Sequence, residues 1–146
     1  MVELDLPPSG RIAGTEHRFP LRVYYEDTDA GGIVYHASYL RFMERARSDL
    51  LRLIAIEQRA ALEAGLGGYV VADLSIRYRK PAQLDDALLV VSTVARIRAS
   101  AVVVQQRVMR GHELLTNAEV TVAFLANGRA TRQPADWVAR FEALKG

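Results

Sequence analysis

The stretch YYEDTDAGGIVYHASYL, residues 24–40, places three acids, two adjacent glycines and one histidine in a single turn-like segment. Leading into it, from His17 to Tyr25, apolar residues alternate with polar ones, which is the two-residue period of a half-buried strand. After it, apolar residues recur at spacings of three and four, the stripe of an amphipathic helix: Tyr39, Met43, Ala46, Leu50 and Leu53. The segment therefore joins a strand to a long helix.

Local signals refine the helical region. Ser38 is predicted to be the N-cap of the long helix, because its hydroxyl can accept a hydrogen bond from a free N–H of the first turn. Arg45 and Asp49 are four residues apart, a spacing at which their side chains can pair across one helical turn. A second, short helix is predicted over residues 57–64, and it ends at Gly65.

The rest of the chain is predicted to be mostly strand. Segments rich in β-branched residues cover 69–79, 87–97, 101–110 and 113–125. Gly111 and His112 favour a hairpin turn between the last two, and Pro134 favours a short helix over 134–144. One strand, a long helix and about four further strands indicate an α+β class, with an antiparallel sheet of about five strands wrapped around the long central helix.

Composition bounds the class of protein. At 146 residues the chain suits one domain, predicted over 17–146 after a loose N-terminal lead over 1–16. The net charge of +2 is dispersed, which disfavours nucleic-acid binding. The absence of cysteine excludes disulfides, thiolate metal ligands and a cysteine nucleophile. The N-terminus has no signal-peptide core and no apolar run approaches the ~20 residues that cross a bilayer, so a cytoplasmic location is expected.

Two interpretations of the acids follow from the residues themselves. Spacing alone favours a solvated turn in which Asp27 or Asp29 satisfies local N–H groups, because Asp and Gly are standard turn residues. The alternative is a ligand site, because the glycines allow a ligand to approach the backbone closely and such loops often carry function. The isolated His17 and His112 show no spacing typical of a metal site, so no metal is predicted.

The longer string RVYYEDTDAGGIVYHASYLRFMERAR, residues 22–47, decides between them. With a looser echo in IRYRKPAQLDD, residues 76–86, it resembles the signature of the 4-hydroxybenzoyl-CoA thioesterase family, most closely its YbgC-type, Tol-Pal-associated acyl-CoA thioesterase branch. The resemblance runs from about Phe19 to Phe124. It implies a hot-dog fold, an acyl-CoA substrate bound at a homodimer interface, frequent assembly into homotetramers, and no cofactor apart from the coenzyme A of the substrate.

The same resemblance implies roles for individual residues. Asp29, the second acid of the DTD motif, matches the family's catalytic carboxylate, which acts either as a nucleophile or as a general base toward water. The His36 backbone amide, at the start of the helix, is implied to polarise the thioester carbonyl, with Gly32 and Ile33 shaping the approach. The His36 side chain is implied to be a site residue that orients water, donates to the carbonyl or protonates the leaving thiolate. The simpler alternative is a histidine that only fills the helix start.

Further candidates belong to substrate binding. Tyr35 and Tyr39 are placed in the acyl pocket, although aromatic residues at helical spacing also pack in cores. Basic residues expected near the phosphates of coenzyme A are Arg77, Arg79 and Lys80, although a strand's solvent face also carries arginines without a ligand. Many relatives carry asparagine at the position of Ser38, which leaves the acyl preference open.

Other functions compatible with the sequence are a hot-dog dehydratase and a non-catalytic module. Such a module would bind acyl-CoA or acyl carrier protein, or scaffold a membrane-associated assembly. The order of residues in DTDAGGIVYH favours hydrolysis over dehydration. Acyl carrier protein is also a possible partner of the enzyme. Dimer and tetramer are not distinguished by the sequence.

Overall fold

The computed structural model describes residues 4–145, which form one antiparallel sheet and several helices. The strands are β1 (Arg11–Ala13), β2 (Glu16–Arg22), β3 (Gly68–Tyr78), β4 (Ala87–Ile97), β5 (Ala101–Arg110), β6 (Glu113–Ala126) and β7 (Arg129–Ala130). The helices are α1 (Ser38–Leu53), α2 (Gln58–Glu63) and α3 (Ala135–Lys145). A short 3₁₀ turn covers Tyr25–Asp27. The predicted α+β class is confirmed.

The sheet has the order β1-β2-β4-β5-β6-β3, and the short β7 pairs with β6. All of these pairings are antiparallel. The sheet contains five long strands, as predicted, together with β1 and β7, which the sequence analysis missed. A strand of two or three residues is too short to show an alternating period. The crossover from β2 through α1 leaves β3 at an edge of the sheet.

Helix α1 buries the predicted apolar stripe against the sheet. Tyr39, Met43, Ala46 and Leu50 are each at most 3% exposed, whereas Leu53 is 41% exposed, so the buried stripe ends one turn earlier than predicted. Facing side chains in this cluster are Val23, just after β2, and residues of β4, β5 and β6 that include Val90, Val108 and Val120. Each such side chain contributes roughly 1.5–3 kcal/mol when it leaves water. This packing fixes the position of the N-terminal end of α1.

Two predictions about α1 are wrong. Ser38 is the first helical residue rather than the N-cap, a position that Ala37 occupies. The Ser38 hydroxyl instead donates to the Asp27 carbonyl at 3.1 Å, because the preceding loop folds back and supplies an acceptor. Asp49 does not pair with Arg45, because its carboxylate faces inward and bonds to His17, a residue that the sequence analysis treated as isolated.

The N-terminal segment also departs from prediction. Part of the stretch expected to be a loose lead forms β1, which pairs with β2. The Gly10 N–H donates to the Asp49 carboxylate at 2.9 Å. A Cβ at Gly10 would lie 2.3 Å from the Arg18 carbonyl oxygen, so only glycine fits this close approach. Residues 1–3 of the predicted lead lie outside the described residues.

The remaining local predictions are confirmed. Helix α2 ends just before Gly65, which has φ +71°. Gly111, with φ +60°, lies in the turn between β5 and β6, and α3 begins immediately after Pro134. Over residues 4–145, no helix is both long and apolar enough to cross a membrane.

Candidate active site

Asp27 has a structural role in the loop between β2 and α1. Its side chain is 9% exposed, and its Oδ2 accepts a hydrogen bond from the Tyr24 N–H at 2.8 Å. Its carbonyl accepts from the Tyr35 N–H at 2.9 Å. The first acid of the DTD motif therefore ties the loop to the chain that enters the helix.

Asp29 combines a turn contact with an open carboxylate oxygen. Its Oδ1 accepts from the Gly31 N–H at 2.8 Å, and its carbonyl accepts from the Gly32 N–H at 3.1 Å. Gly32 has φ +81°, a left-handed conformation that side chains disfavour. Among residues 4–145, Oδ2 of the exposed Asp29 has no hydrogen-bond partner. The turn interpretation thus accounts for one oxygen of Asp29 and leaves the other available for a ligand.

The chain that enters α1 has a free backbone donor at His36, just before the N-cap Ala37. The Val34 N–H donates to the Ala82 carbonyl at 2.9 Å, and the Ser38 N–H donates to the Tyr35 carbonyl at 2.8 Å. Between them, the His36 N–H has no acceptor within the described part of the chain. Free N–H groups at a helix start carry partial positive charge, so this position favours a developing oxyanion.

A cavity of about 400 Å³ brings these groups together. Its lining comes from the motif loop, the start of α1 and the end of β3 with the chain that follows: Asp29, Ile33, Val34, His36, Tyr39, Tyr78, Arg79, Lys80 and Pro81. Six predicted site residues thus line one cavity: Asp29, Ile33, His36, Tyr39, Arg79 and Lys80. The other three candidates, Gly32, Tyr35 and Arg77, are not part of the lining.

The two candidate tyrosines differ. Tyr39 is 2% exposed and belongs to the core, and its hydroxyl accepts from the Ala82 N–H at 3.0 Å. Burial raises the pKa of the Tyr39 hydroxyl. Tyr39 therefore both packs in the core and lines the cavity. Tyr35 is 47% exposed, so the core interpretation is wrong for this residue, and its ring lies 4.5 Å from that of His36.

The basic residues at the cavity have different partners. Arg79 Nε donates to the Asn117 amide oxygen at 2.9 Å, and within residues 4–145 this guanidinium forms no salt bridge. Lys80 Nζ lies 3.2 Å from a carboxylate oxygen of Glu113. Lys80 and Arg110 lower the pKa of Glu113 by hydrogen bonding, so this carboxylate is ionised and balances Lys80. Arg79 therefore carries the positive charge that is more available to an anionic ligand.

Tyr78 is a cavity residue that the sequence analysis did not select as a site residue. Its hydroxyl donates to the His36 carbonyl at 2.7 Å, and its ring meets those of His36 and Tyr39 edge-on. The alternation of β3, which puts Ile76 and Tyr78 on one face, was the available signal. The pairing with His36 spans 42 residues and was not visible locally.

A second cavity, of about 380 Å³, lies between α1, β3 and the facing strands. Its lining is mainly apolar and contains no residue of the DTD motif. Its lining includes Val70 and Val71 of β3, which are 45% and 50% exposed, and Leu74 further along the strand is 36% exposed. The open edge strand therefore carries exposed apolar side chains over residues 70–74.

An antiparallel sheet with a long central helix packed against it is the hot-dog architecture. The family model of the thioesterase superfamily matches residues 31–116, more than half of the chain. The chain belongs to the thioesterase superfamily.

Named relatives and solved structures agree with this assignment. The chain is 46% identical over 111 residues to the acyl-CoA thioesterase YbgC of Haemophilus influenzae, covering 76% of this chain and 82% of the relative. A probable thioesterase from Bartonella henselae superposes with a TM-score of 0.77 at 34% identity, covering 82% of this chain and 99% of the other. A 1,4-dihydroxy-2-naphthoyl-CoA thioesterase from Synechocystis has a TM-score of 0.83 at 21% identity, covering 90% and 98%, and supports the fold alone. The predicted hot-dog fold and family are confirmed.

Proposed function

We propose that the protein hydrolyses acyl-CoA thioesters to a free acid and coenzyme A, with Asp29 as the catalytic carboxylate. One observation carries this proposal: Asp29, whose Oδ2 has no partner among the described residues, and His36, whose N–H has none, line one cavity. Thioester hydrolysis needs an activated attacking oxygen and a donor for the carbonyl oxygen. The relative from Haemophilus influenzae, whose name describes an acyl-CoA thioesterase, supports the same chemistry.

Two routes of attack use the same residues. Asp29 can attack the carbonyl carbon, so that the C–S bond breaks and a mixed anhydride forms, which water then hydrolyses. Alternatively, Asp29 takes a proton from the water that attacks. Both routes place negative charge on the thioester oxygen, where the His36 N–H is the available donor. Removal of one such donor typically lowers the rate by ~10² or more.

His36, which is exposed, lines the same cavity. The departing thiolate needs a proton, and an imidazole is the side chain best suited to supply one near neutral pH. We therefore assign His36 two separate functions. Its backbone stabilises the oxyanion, and its side chain protonates the leaving group.

Arg79 and Lys80 are proposed to bind the phosphates of coenzyme A. Both side chains line the cavity and are exposed, and Arg79 lacks a carboxylate partner among the described residues. Guanidinium groups bind phosphates through paired hydrogen bonds. Arg77 is close to them in sequence but is not part of the cavity lining. It is therefore not included in the proposed phosphate site.

The active form is proposed to be a homodimer that pairs through β3. The outer edge of this strand has no partner within residues 4–145, and Val70, Val71 and Leu74 are exposed on it. An open, apolar edge strand is a template for pairing with another chain. A second copy would also cover the adjacent apolar cavity. Further assembly into a tetramer, and acyl carrier protein as a partner, follow only from the family resemblance.

A panel of short, long and aromatic acyl-CoAs tests this function by continuous measurement of thiol release. Hydrolysis of at least one class, abolished in Asp29→Asn, is the expected result. A protein that binds acyl-CoA but releases no thiol from any member of the panel would instead be a non-catalytic module. A dehydratase would change the acyl group without releasing thiol.

A further inference from the structure

The His36 carbonyl lies outside the backbone hydrogen bonds of α1. Ala37 is the N-cap and Ser38 the first helical residue, so His36 precedes the helix. The Leu40 N–H donates to the Ala37 carbonyl at 3.1 Å, in a 3₁₀ pattern, and not to the His36 carbonyl four residues earlier. Within residues 4–145 no backbone N–H donates to the His36 carbonyl, at the residue that supplies the proposed oxyanion donor.

The Tyr78 hydroxyl is the donor to this carbonyl. It lies 2.7 Å from the His36 carbonyl oxygen, and this is its only hydrogen bond within residues 4–145. Burial of the Tyr78 hydroxyl and the neighbouring Tyr39 both raise its pKa, so it is protonated and able to donate at neutral pH. Because the side chain is 46% exposed, the contact adds little to the core.

A second contact joins the same two parts of the molecule. The Ala82 N–H donates to the Tyr39 hydroxyl at 3.0 Å, and the rings of Tyr39 and Tyr78 meet edge-on at 5.5 Å. Residues 78–82 are thus attached to the start of α1 at two points, one on each side of Pro81. The attachment through Tyr39 is buried, whereas the attachment through Tyr78 is at the cavity.

We propose that Tyr78 is a positioning residue for catalysis, whose hydroxyl fixes the His36 carbonyl and thereby the orientation of the His36 N–H and imidazole in the cavity. This inference rests on the proposed function. The His36 carbonyl shares a rigid peptide plane with the Ala37 N–H, and it is joined to the His36 N–H through the His36 Cα. A carbonyl held from β3 therefore restricts rotation of the backbone at His36, on which the direction of its N–H depends. Small displacements of a catalytic donor are costly, since a 1 Å error can lower a rate by ~10².

Tyr78→Phe tests the proposal, because it removes the hydroxyl and keeps the ring. Loss of orientation should lower kcat about 10-fold while KM changes less than about twofold, since the donor acts mainly in the transition state. Tyr69→Phe is the matched control on the same strand: its hydroxyl bonds to Gln133 at 2.6 Å, away from the Asp29 cavity. The control should lower the melting temperature and leave kcat unchanged. Wild-type kcat in Tyr78→Phe would overturn the proposal, and so would a fall in kcat matched by Tyr69→Phe.

Amide chemical shifts test the role of Tyr78 without an activity measurement, so the result does not depend on the proposed hydrolysis. Tyr78→Phe should shift the His36 and Ala37 amide resonances more than those of β5, because the hydrogen bond to the peptide between them is lost. Unchanged His36 and Ala37 shifts would overturn the positioning role. If the wild type releases no thiol, the proposed function fails, and the shifts still show whether Tyr78 holds the turn.

Discussion

The Nε2 atom of His17 lies 2.7 Å from Oδ2 of Asp49, and this contact joins β2 to the C-terminal half of α1. Both side chains are buried, with exposed fractions of 0% and 4%. The same carboxylate oxygen accepts the Gly10 N–H, so three segments of the chain converge on it. Nδ1 of His17 has no partner among the described residues, and therefore Nε2 is the ring nitrogen whose hydrogen bond stabilises the fold.

Removal of this carboxylate should destabilise the protein. Asp49→Ala leaves the His17 ring and the Gly10 N–H without their acceptor, and loss of one member of a buried pair costs roughly 3–5 kcal/mol. We expect a fall of about 3 kcal/mol in the free energy of unfolding, measured by urea denaturation. Glu63→Ala, which breaks the exposed pair with Arg59, should change it by less than about 0.5 kcal/mol. A loss below about 1 kcal/mol for Asp49→Ala would contradict this role.

Gly32→Ala should weaken hydrolysis through backbone strain. Gly32 has φ +81° and open space around its Cα, so alanine introduces a conformational cost of roughly 1–2 kcal/mol without a clash. Relief of this strain would move the Asp29 turn and lower kcat. Gly14→Ala is the matched control, because Gly14 has φ +62°, open space and a position between β1 and β2. Equal stability losses are expected, with kcat reduced only in Gly32→Ala; equal kcat values in the two variants would argue against a catalytic turn.

Arg79→Met should raise KM for acyl-CoA without lowering kcat. Loss of one charge-assisted contact to phosphate is worth ~1.4 kcal/mol, or about a tenfold change in affinity. The exposed Arg98→Met, which follows β4 and does not line the cavity, controls for the loss of a positive charge. Steady-state kinetics with one acyl-CoA compare the two variants. The same KM for Arg79→Met and Arg98→Met would contradict the proposal that Arg79 binds the phosphates of coenzyme A.

Charge on the β3 edge should prevent assembly. Val71→Glu places a carboxylate on the exposed apolar edge, where burial against a second copy would leave it unpaired. The expected result is a monomer in analytical ultracentrifugation with greatly reduced thiol release. Leu6→Glu, at an even more exposed apolar residue outside the strand, should keep the wild-type assembly. A monomeric wild type with full activity is the outcome that excludes a shared site.

Much of the fold was predictable because its signals are local. The alternation before the DTD motif and the stripe of α1 are read from neighbouring residues, and both elements exist near the predicted bounds. The short strands β1 and β7 were not predicted, because two or three residues are too few to show an alternation of apolar and polar residues. Arg45 was paired with Asp49 from helical spacing alone, whereas the true partner, His17, is 32 residues away in sequence. Local spacing cannot reveal such a contact.

In the candidate site, too, the residues of the local motif were predicted and the contact between distant residues was not. The motif contains the carboxylate and the helix start, and the residues after β3 add the basic side chains. Tyr78 was missed because its role depends on a contact with the His36 carbonyl, made possible by the sheet order. Ser38 was assigned as a cap because its residue type is favourable, but the folded loop offered its hydroxyl the Asp27 carbonyl instead. Tertiary contacts thus changed the role of a correctly located residue.

The most direct test of the central claim is single-turnover thiol release by Asp29→Asn beside the wild type, with acyl-CoA affinity measured on both proteins. Asparagine keeps the size of the side chain and an acceptor for the Gly31 N–H, but removes the anionic oxygen. We expect unchanged folding, acyl-CoA affinity within about threefold, and a rate of thiol release at least ~10³ lower, since the general base or nucleophile is lost. Hydrolysis by Asp29→Asn at the wild-type rate would contradict the claim that this carboxylate performs the chemistry.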